Sequence, residues 1–211
     1  MKVLIGECTG KPADRAEALG WGRMWIARGR NIYTYPGEPW GLDNGRFRDW
    51  AEGVPFDQDL FWRAIEKAKG QDEPPYLAVV PDEPGNADMT MILLEDWLPM
   101  LQHEAPAFPW FCAVQDGMVP EDLDPYIDRL GGVFLGGTSA FKSQAGVFCD
   151  YAHAHNRPFH YGRCGSLNKL AHAIEVGADS IDSAFPMWTM ERWNLFVESV
   201  VNGPIQRGLF T

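Results

Sequence analysis

Three features are missing from this sequence of 211 residues, and each absence argues against a class of protein. No apolar run approaches the roughly 18 residues that a membrane-spanning helix requires. The apolar run at residues 3–5 is too short for a secretory signal, so we expect a cytoplasmic protein. No Gly-x-Gly-x-x-Gly follows the first predicted strand, which counts against a dinucleotide-binding site.

Cysteine and basic residues are both scarce. The four cysteines stand alone without a Cys-x-x-Cys pair, so we predict neither a zinc site nor a disulfide framework. The chain has 18 Lys and Arg against 29 Asp and Glu, and its formal net charge is −11. This balance argues against a general nucleic-acid-binding protein, which needs a basic footprint.

Predicted strands and helices alternate along the whole chain. Short apolar stretches predict strands at 2–5, 24–27, 40–45, 76–82, 109–115, 133–135, 159–161 and 180–182. Helical spacing and end signals predict helices at 12–19, 57–69, 90–103, 120–130, 142–156, 166–176 and 189–201. This order favours a parallel α/β fold, expected to be a compact single-domain (β/α)₈ TIM-like barrel over residues 1–211. An open doubly wound sheet is the alternative.

Polar residues and glycines recur where the predicted strands end. Asp182 follows a short strand and precedes Pro186, and it has an ordinary interpretation as a helix cap or a turn residue. However, chemistry in barrel enzymes is located at the C-terminal ends of the strands. The recurrence of the pattern therefore favours a functional site, with these residues in chain order: Asp43, Asp82, Gln115, Gly136, Gly137, Tyr161 and Asp182.

Three carboxylates at one end of a barrel allow more than one chemistry. They could bind a hard cation, although their spacing matches no recognisable metal motif, and we expect neither a metal nor a cofactor. Without a metal, they suit acid–base work, nucleophilic attack and acceptance of N–H hydrogen bonds. The Gln115 amide and the backbone N–H groups of Gly136 and Gly137 suit a carbonyl, so the set matches a guanine-like base.

Five segments resemble motifs of the tRNA-guanine transglycosylases, which exchange guanine for a 7-deazaguanine base. In order along the chain they are 42–47 (LDNGRF), 80–83 (VPDE), 113–117 (AVQDG), 134–138 (FLGGT) and 180–186 (SIDSAFP). The resemblance implies that Asp182 is the nucleophile that attacks C1′ and that Asp43 is the general acid/base. It further implies that Asp82, Gln115 and Gly136 or Gly137 recognise the base.

Two aromatic residues and a size difference complete the comparison with that family. The resemblance implies that Phe47 and Tyr161 sandwich the base. Only 29 residues follow Asp182, none of them Cys or His, so the family's zinc subdomain has no counterpart here. The chain is similar in this respect to the shortened, phage-type branch that inserts 7-deazaguanine bases into DNA. That similarity favours DNA over tRNA as partner, and implies a host-cell cytoplasm if the chain is phage-encoded.

The acidic charge leaves alternatives open. A basic rim would let the chain bind nucleic acid, and the candidate contact residues are Arg23, Arg28, Arg30, Arg46 and Arg163. These arginines could equally form an ordinary solvated surface. The two other functional hypotheses are a barrel enzyme that acts on free nucleosides or small sugars and a non-catalytic partner subunit. A homodimer or a partner protein also stays open.

Overall fold

The computed structural model describes residues 1–28 and 31–203. Eight parallel strands form a closed barrel in sequence order, and the last strand pairs with the first. The strands are β1 (Lys2–Gly6), β2 (Gly22–Ile26), β3 (Gly41–Asp43), β4 (Leu77–Val79), β5 (Trp110–Val114), β6 (Gly132–Leu135), β7 (Phe159–Tyr161) and β8 (Ser180–Ser183). The predicted (β/α)₈ barrel is therefore confirmed, and the open sheet is excluded.

Seven α-helices in the described ranges follow the strands or precede them. They are α1 (Lys11–Ala18), α2 (Arg46–Glu52), α3 (Gln58–Lys69), α4 (Ala87–Glu104), α5 (Ala145–Ala154), α6 (Leu167–Glu175) and α7 (Met190–Asn202). Side chains cap several helix starts: Asp57 accepts from the Leu60 N–H, and Ser166 accepts from the Lys169 N–H. No helix within the described residues is long and apolar enough to cross a membrane.

Strand alternation divides the apolar side chains into two layers. A small cluster that includes Leu4, Met24 and Phe111 fills the inside of the barrel. A larger cluster lies between the strands and the helices. Gly41 faces the inside, where an added Cβ would lie 2.6 Å from the Met24 sulfur, so only glycine leaves room for the interior packing. The polar residues that follow the inward-facing positions consequently end at the mouth of the barrel.

Two predicted features differ from the structure. The predicted helix at 120–130 is wrong, because only short 3₁₀ turns form, at Pro120–Leu123 and Ile127–Arg129. Pro125 lies in the middle of that segment, where it lacks an N–H and clashes with the preceding turn of an α-helix. Helix α2 was not predicted; it begins directly after Gly45 and carries Phe47 to the mouth of the barrel.

Candidate active site

A cavity at the C-terminal mouth of the barrel brings together most of the predicted site residues. Asp43 ends β3, Asp182 lies in β8 one residue before its end, and Gln115 follows β5. Leu42 and Ile181 belong to the outer apolar layer, so the adjacent Asp43 and Asp182 point inward. The cavity is lined in part by Asp43, Asn44, Phe47, Asp82, Gln115, Gly136 and Arg163.

Two side-chain amides hold Asp82. The Nδ2 of Asn44 donates to its Oδ1 at 2.7 Å, and the Nε2 of Gln115 donates to its Oδ2 at 2.6 Å. Burial raises the pKa of Asp82 to about 6, although both amide hydrogen bonds act in the opposite direction. Each carboxylate oxygen keeps further acceptor capacity, so a fixed and buried acceptor faces the cavity.

Asp43 occupies an environment that favours its protonated form. Burial raises the pKa of Asp43 to about 7, and the negative charges of Asp182 and Asp82 add to this effect. The Gly45 N–H donates to Asp43 Oδ1 at 2.6 Å and only partly offsets the rise. At neutral pH this carboxyl group therefore exists in both protonation states, as a group that gives and takes a proton requires.

Asp182 occupies the opposite environment. Burial acts to raise its pKa, but His160 and the backbone N–H of Arg163 outweigh burial and hold the pKa below the ordinary aspartate value. The His160 Nε2 lies 3.1 Å from Asp182 Oδ1, and the Arg163 N–H donates to the same oxygen at 2.8 Å. Asp182 is consequently ionised at neutral pH, as a carboxylate nucleophile must be.

His160 is a site residue that the sequence analysis did not assign. It is fully buried, stacks on Phe134 with ring centroids 4.7 Å apart, and its Nδ1 lies 2.8 Å from the Ser180 hydroxyl. Burial lowers the pKa of His160, so the ring is neutral, and we assign its one N–H to Nε2, where it donates to Asp182. The register pairs His160 with the inward-facing Ser180, a relation between two strands that the sequence of β7 alone does not reveal.

Tyr161, by contrast, does not reach the cavity, and its predicted place on the face of a base is wrong. Its neighbour His160 points inward, so alternation turns Tyr161 outward toward α6, where its hydroxyl lies 3.4 Å from His172 Nδ1. Tyr161 is 1% exposed and belongs to the outer apolar layer. Phe47 does line the cavity, is 42% exposed, and stacks on Trp50 with centroids 5.7 Å apart.

The predicted N–H donors at Gly136 and Gly137 already have partners. The Gly136 N–H donates to the Val114 carbonyl at 3.0 Å, and the Gly137 N–H donates to Gln115 Oε1 at 2.8 Å. The expectation that these groups bind the carbonyl of a base is therefore wrong for this arrangement. Gly136 instead provides space, because an added Cβ would collide with the Gln115 amide.

Most of the predicted basic rim is neutralised by carboxylates. Buried Arg23 forms a double hydrogen bond with Glu38, with both distances 2.7 Å, so its prediction as a nucleic-acid contact is wrong. Arg28 and Arg46 also have carboxylate partners, at 2.6 Å from Asp49 and Glu83 respectively, and Arg28 pairs with Glu52 as well. Arg30 lies outside the described residues. These pairs join residues that are far apart in the sequence, where no local pattern reveals them.

Arg163 differs from the other arginines because it lines the cavity and pairs with no carboxylate among the described residues. Its guanidinium lies 3.8 Å from the centre of the Phe47 ring, and Nη2 donates to the Gly137 carbonyl at 2.8 Å. Its φ of 50° is in the left-handed region, which is unusual for a residue other than glycine. This backbone conformation accompanies the N–H hydrogen bond to Asp182.

The described residues contain no group of three or more His, Cys, Asp or Glu arranged to hold a metal ion. The site thus combines a protonatable carboxyl group, an ionised carboxylate and an amide-held acceptor at the mouth of one barrel. Comparison of the chain with models of known protein families gave no match. A search of curated proteins also gave no match.

Proposed function

We propose that the protein is a base-exchange transglycosylase that replaces guanine with a 7-deazaguanine base through a covalent aspartyl intermediate. The observation that carries this proposal is the contrast between Asp43, whose pKa is raised to about 7, and Asp182, whose pKa is lowered. A pair of carboxyl groups whose environments separate their pKa values in this way is suited to one acid/base and one nucleophile.

The proposed reaction proceeds in two displacements at C1′. In the first, a carboxylate oxygen of Asp182 forms a bond to C1′ while the bond from C1′ to the base breaks, and the Asp43 carboxyl group gives its proton to the departing base. In the second, Asp43 takes a proton from the incoming base, whose nitrogen attacks C1′ and releases Asp182. Two inversions retain the configuration at C1′, and nearby carboxylates stabilise the positive charge that develops on the sugar.

Base recognition in this proposal rests on Asp82 and Phe47. The buried carboxylate of Asp82 is held by Asn44 and Gln115 and can accept from the N–H groups of a guanine-like base. Phe47 offers one exposed aromatic face at the cavity wall. Substitution of Asp82 by Ala therefore tests selectivity among bases, and unchanged selectivity would contradict this role.

The sugar donor is either a nucleic acid, with DNA favoured over tRNA, or a free nucleoside. The resemblance of five segments to motifs of the tRNA-guanine transglycosylases supports a nucleic-acid donor. The pairing of Arg23, Arg28 and Arg46 with carboxylates, together with the net charge of −11, supports a small donor. Both candidates use the same carboxylates and the same chemistry.

The test is a base-exchange assay with labelled guanine and labelled 7-deazaguanines. Duplex DNA, single-stranded DNA, tRNA and free deoxyguanosine are offered separately, to wild type, to Asp182→Asn and to Asp128→Asn, an exposed control carboxylate. We expect label in one donor with the wild type and the control, and none with Asp182→Asn. Exchange by Asp182→Asn at the wild-type rate would contradict the proposed nucleophile, and no exchange with any donor would favour a binding subunit.

A further inference from the structure

The cavity lined by Asp43 and Asp82 is called the carboxylate cavity below. A second cavity of about 210 Å³ adjoins it and is lined by positively charged side chains. The two cavities share part of their walls, including Phe47, Gln115 and Arg163. Lys142, Arg163 and Lys169 line the second cavity, and no Asp or Glu among the described residues does so. Three cations around one cavity stand out in a chain whose net charge is −11.

These three cations lack the carboxylate partners that neutralise Arg23, Arg28 and Arg46. Within the described ranges, none of the three takes part in an ion pair. The Asp116 carboxylate accepts from the backbone N–H and the hydroxyl of Thr138. Among the described residues, Asp182 attracts Lys142, and Asp43 and Asp82 attract Arg163, but none of these carboxylates forms an ion pair with the cations.

Lys142 is the most deeply buried of the three cations. Its side chain is buried, with Nζ donating to the carbonyls of Leu135 at 2.8 Å and Gly162 at 2.7 Å. An ammonium group has three N–H donors, so one remains beyond these two contacts. Burial lowers the pKa of Lys142 to about 7, and the positive charge of Arg163 adds to the effect. A buried charge in such a position is stabilised by an anion.

Arg163 and Lys169 offer further donors to the same space. The guanidinium of Arg163 uses Nη2 on the Gly137 carbonyl and lies over the Phe47 ring, so its plane is fixed while donors remain. Lys169 is in the first turn of α6, and the exposed hydroxyl residues Thr138 and Ser139 also line the cavity. The Thr138 hydroxyl already donates to Asp116, so the available donors are the guanidinium, the ammonium groups and the Ser139 hydroxyl, and such a set suits a tetrahedral oxyanion.

We infer that this cavity binds a phosphate group carried by the sugar whose C1′ reacts with Asp182. The inference rests on the proposed function for the position of the sugar, and it adds the substrate class: a nucleotide or a nucleotide unit, not a nucleoside. The phosphate could belong to a free nucleotide or to a nucleic-acid strand. In both cases the second cavity holds the phosphate beside the wall that it shares with the carboxylate cavity.

The test measures binding instead of turnover, so that it does not depend on the reaction. The dissociation constants of deoxyguanosine, its 5′- and 3′-monophosphates, and a DNA trinucleotide with central guanine are measured by calorimetry at pH 6 and low salt. We expect the best phosphate-bearing ligand to bind about tenfold more tightly than deoxyguanosine, or about 1.4 kcal/mol. Equal affinity of the nucleoside and all phosphate-bearing ligands would overturn the inference.

Variants then test whether the tighter binding of phosphate-bearing ligands depends on the residues of the second cavity. Lys169→Gln is expected to lose about threefold to tenfold of the phosphate-dependent gain, whereas the exposed control Lys67→Gln is expected to retain it. Lys142→Met is expected to lose as much, but Lys142 is buried and this variant can fail to fold. Lys169→Gln therefore decides the matter, together with inorganic phosphate as a competitor. A phosphate gain that persists unchanged in Lys169→Gln and resists inorganic phosphate would overturn the inference.

The outcomes separate this inference from the proposed function. A phosphate-dependent gain without any base exchange would leave the phosphate site standing and remove the transglycosylase proposal. Base exchange without a phosphate-dependent gain in affinity would support the transglycosylase proposal and overturn the phosphate site. A trinucleotide that binds more tightly than both monophosphates identifies a strand as the source of the phosphate, whereas equal affinities identify a free nucleotide.

Discussion

The ends of β3 and β8 each carry an inward-facing aspartate at the mouth of the barrel, yet the surroundings of the two carboxyl groups shift their pKa values in opposite directions. Asp43 receives one backbone N–H and lies near two other carboxylates, and burial raises its pKa to about 7. Asp182 receives hydrogen bonds from His160 and the Arg163 N–H, and its pKa is lowered. Hydrogen-bond donors, and not depth of burial, therefore distinguish a proton carrier from a permanent anion in this barrel.

The largest effect on base exchange is expected from substitution of Asp182, the ionised carboxylate of the pair. Asp182→Asn keeps the shape of the side chain but removes the nucleophilic carboxylate, so we expect base exchange to fall by roughly 10⁴-fold or more. Mass spectrometry of denatured samples checks for the covalent adduct, which this variant is expected to lack. Base binding, measured by calorimetry, is expected to be largely intact, and a wild-type amount of adduct would contradict the assignment.

Removal of the proton carrier is expected to have the next largest effect. In the wild type, the single-turnover rate of adduct formation is expected to fall as the pH rises through about 7, because Asp43 must be protonated to give up a proton. Asp43→Asn is expected to slow this step by roughly 10²- to 10⁴-fold and to abolish that decline. A variant that keeps the same decline would show that another group supplies the proton.

Substitution of His160 is expected to make the environment of Asp182 more like that of Asp43. His160→Phe removes the N–H that is donated to Asp182, so the pKa of Asp182 is expected to rise. As the pH is lowered, single-turnover activity is therefore expected to be lost at a higher pH than in the wild type. We expect the profile to move to higher pH and the rate to fall by about tenfold. His160→Gln presents an amide N–H in place of the ring N–H and is expected to restore the pH profile in part. Identical profiles for Phe and Gln would assign His160 a packing role only.

The smallest effect concerns stability. The carboxyl group of Asp43 ionises near 3.8 when unperturbed and near 7 in the folded protein, so the folded state holds a proton that the unfolded state releases between these values. Folding stability therefore falls as the pH rises from about 4 to 7, by roughly 4 kcal/mol as an upper bound, and then levels off. Asp43→Asn removes this loss.

Thermal unfolding at several pH values measures this effect. The Tm of Asp43→Asn minus that of the wild type is expected to grow between pH 4 and pH 7, by roughly 4–8 °C if half of the bound is realised. Asp128→Asn, which replaces an exposed carboxylate, serves as the matched control and is expected to show no such growth. A constant difference across this range would mean that Asp43 is not perturbed by folding.

The sequence predicted the barrel and the positions of the carboxylates because both depend on local patterns. Alternating apolar strands and helix-end signals determine the order of elements, and Asp43 and Asp182 are fixed by their places at strand ends. The 120–130 helix failed because Pro125 outweighs the apolar spacing around it. These successes and this error all follow from residues close together in the chain.

The remaining errors concern contacts between distant residues. Residues 159–161 are buried on both faces, so composition does not reveal that His160 points inward and Tyr161 outward. The partners of Arg23 and Arg46 come from other loops, namely Glu38 and Glu83, and only the folded chain brings them together. Likewise, no spacing rule indicates that Gln115 would already occupy the Gly137 N–H.

Arg163 imposes a constraint on any attempt to change the specificity of this protein. The backbone N–H of Arg163 donates to Asp182, whereas its side chain covers Phe47 and lines both cavities, so a substitution chosen to admit a new donor changes the walls of both cavities at once. Directed evolution of donor range is therefore better started at Thr138, Ser139 and Lys169, which line only the second cavity among the two. A change at position 163 is expected to alter base selectivity and donor selectivity together, because the same side chain lines both cavities.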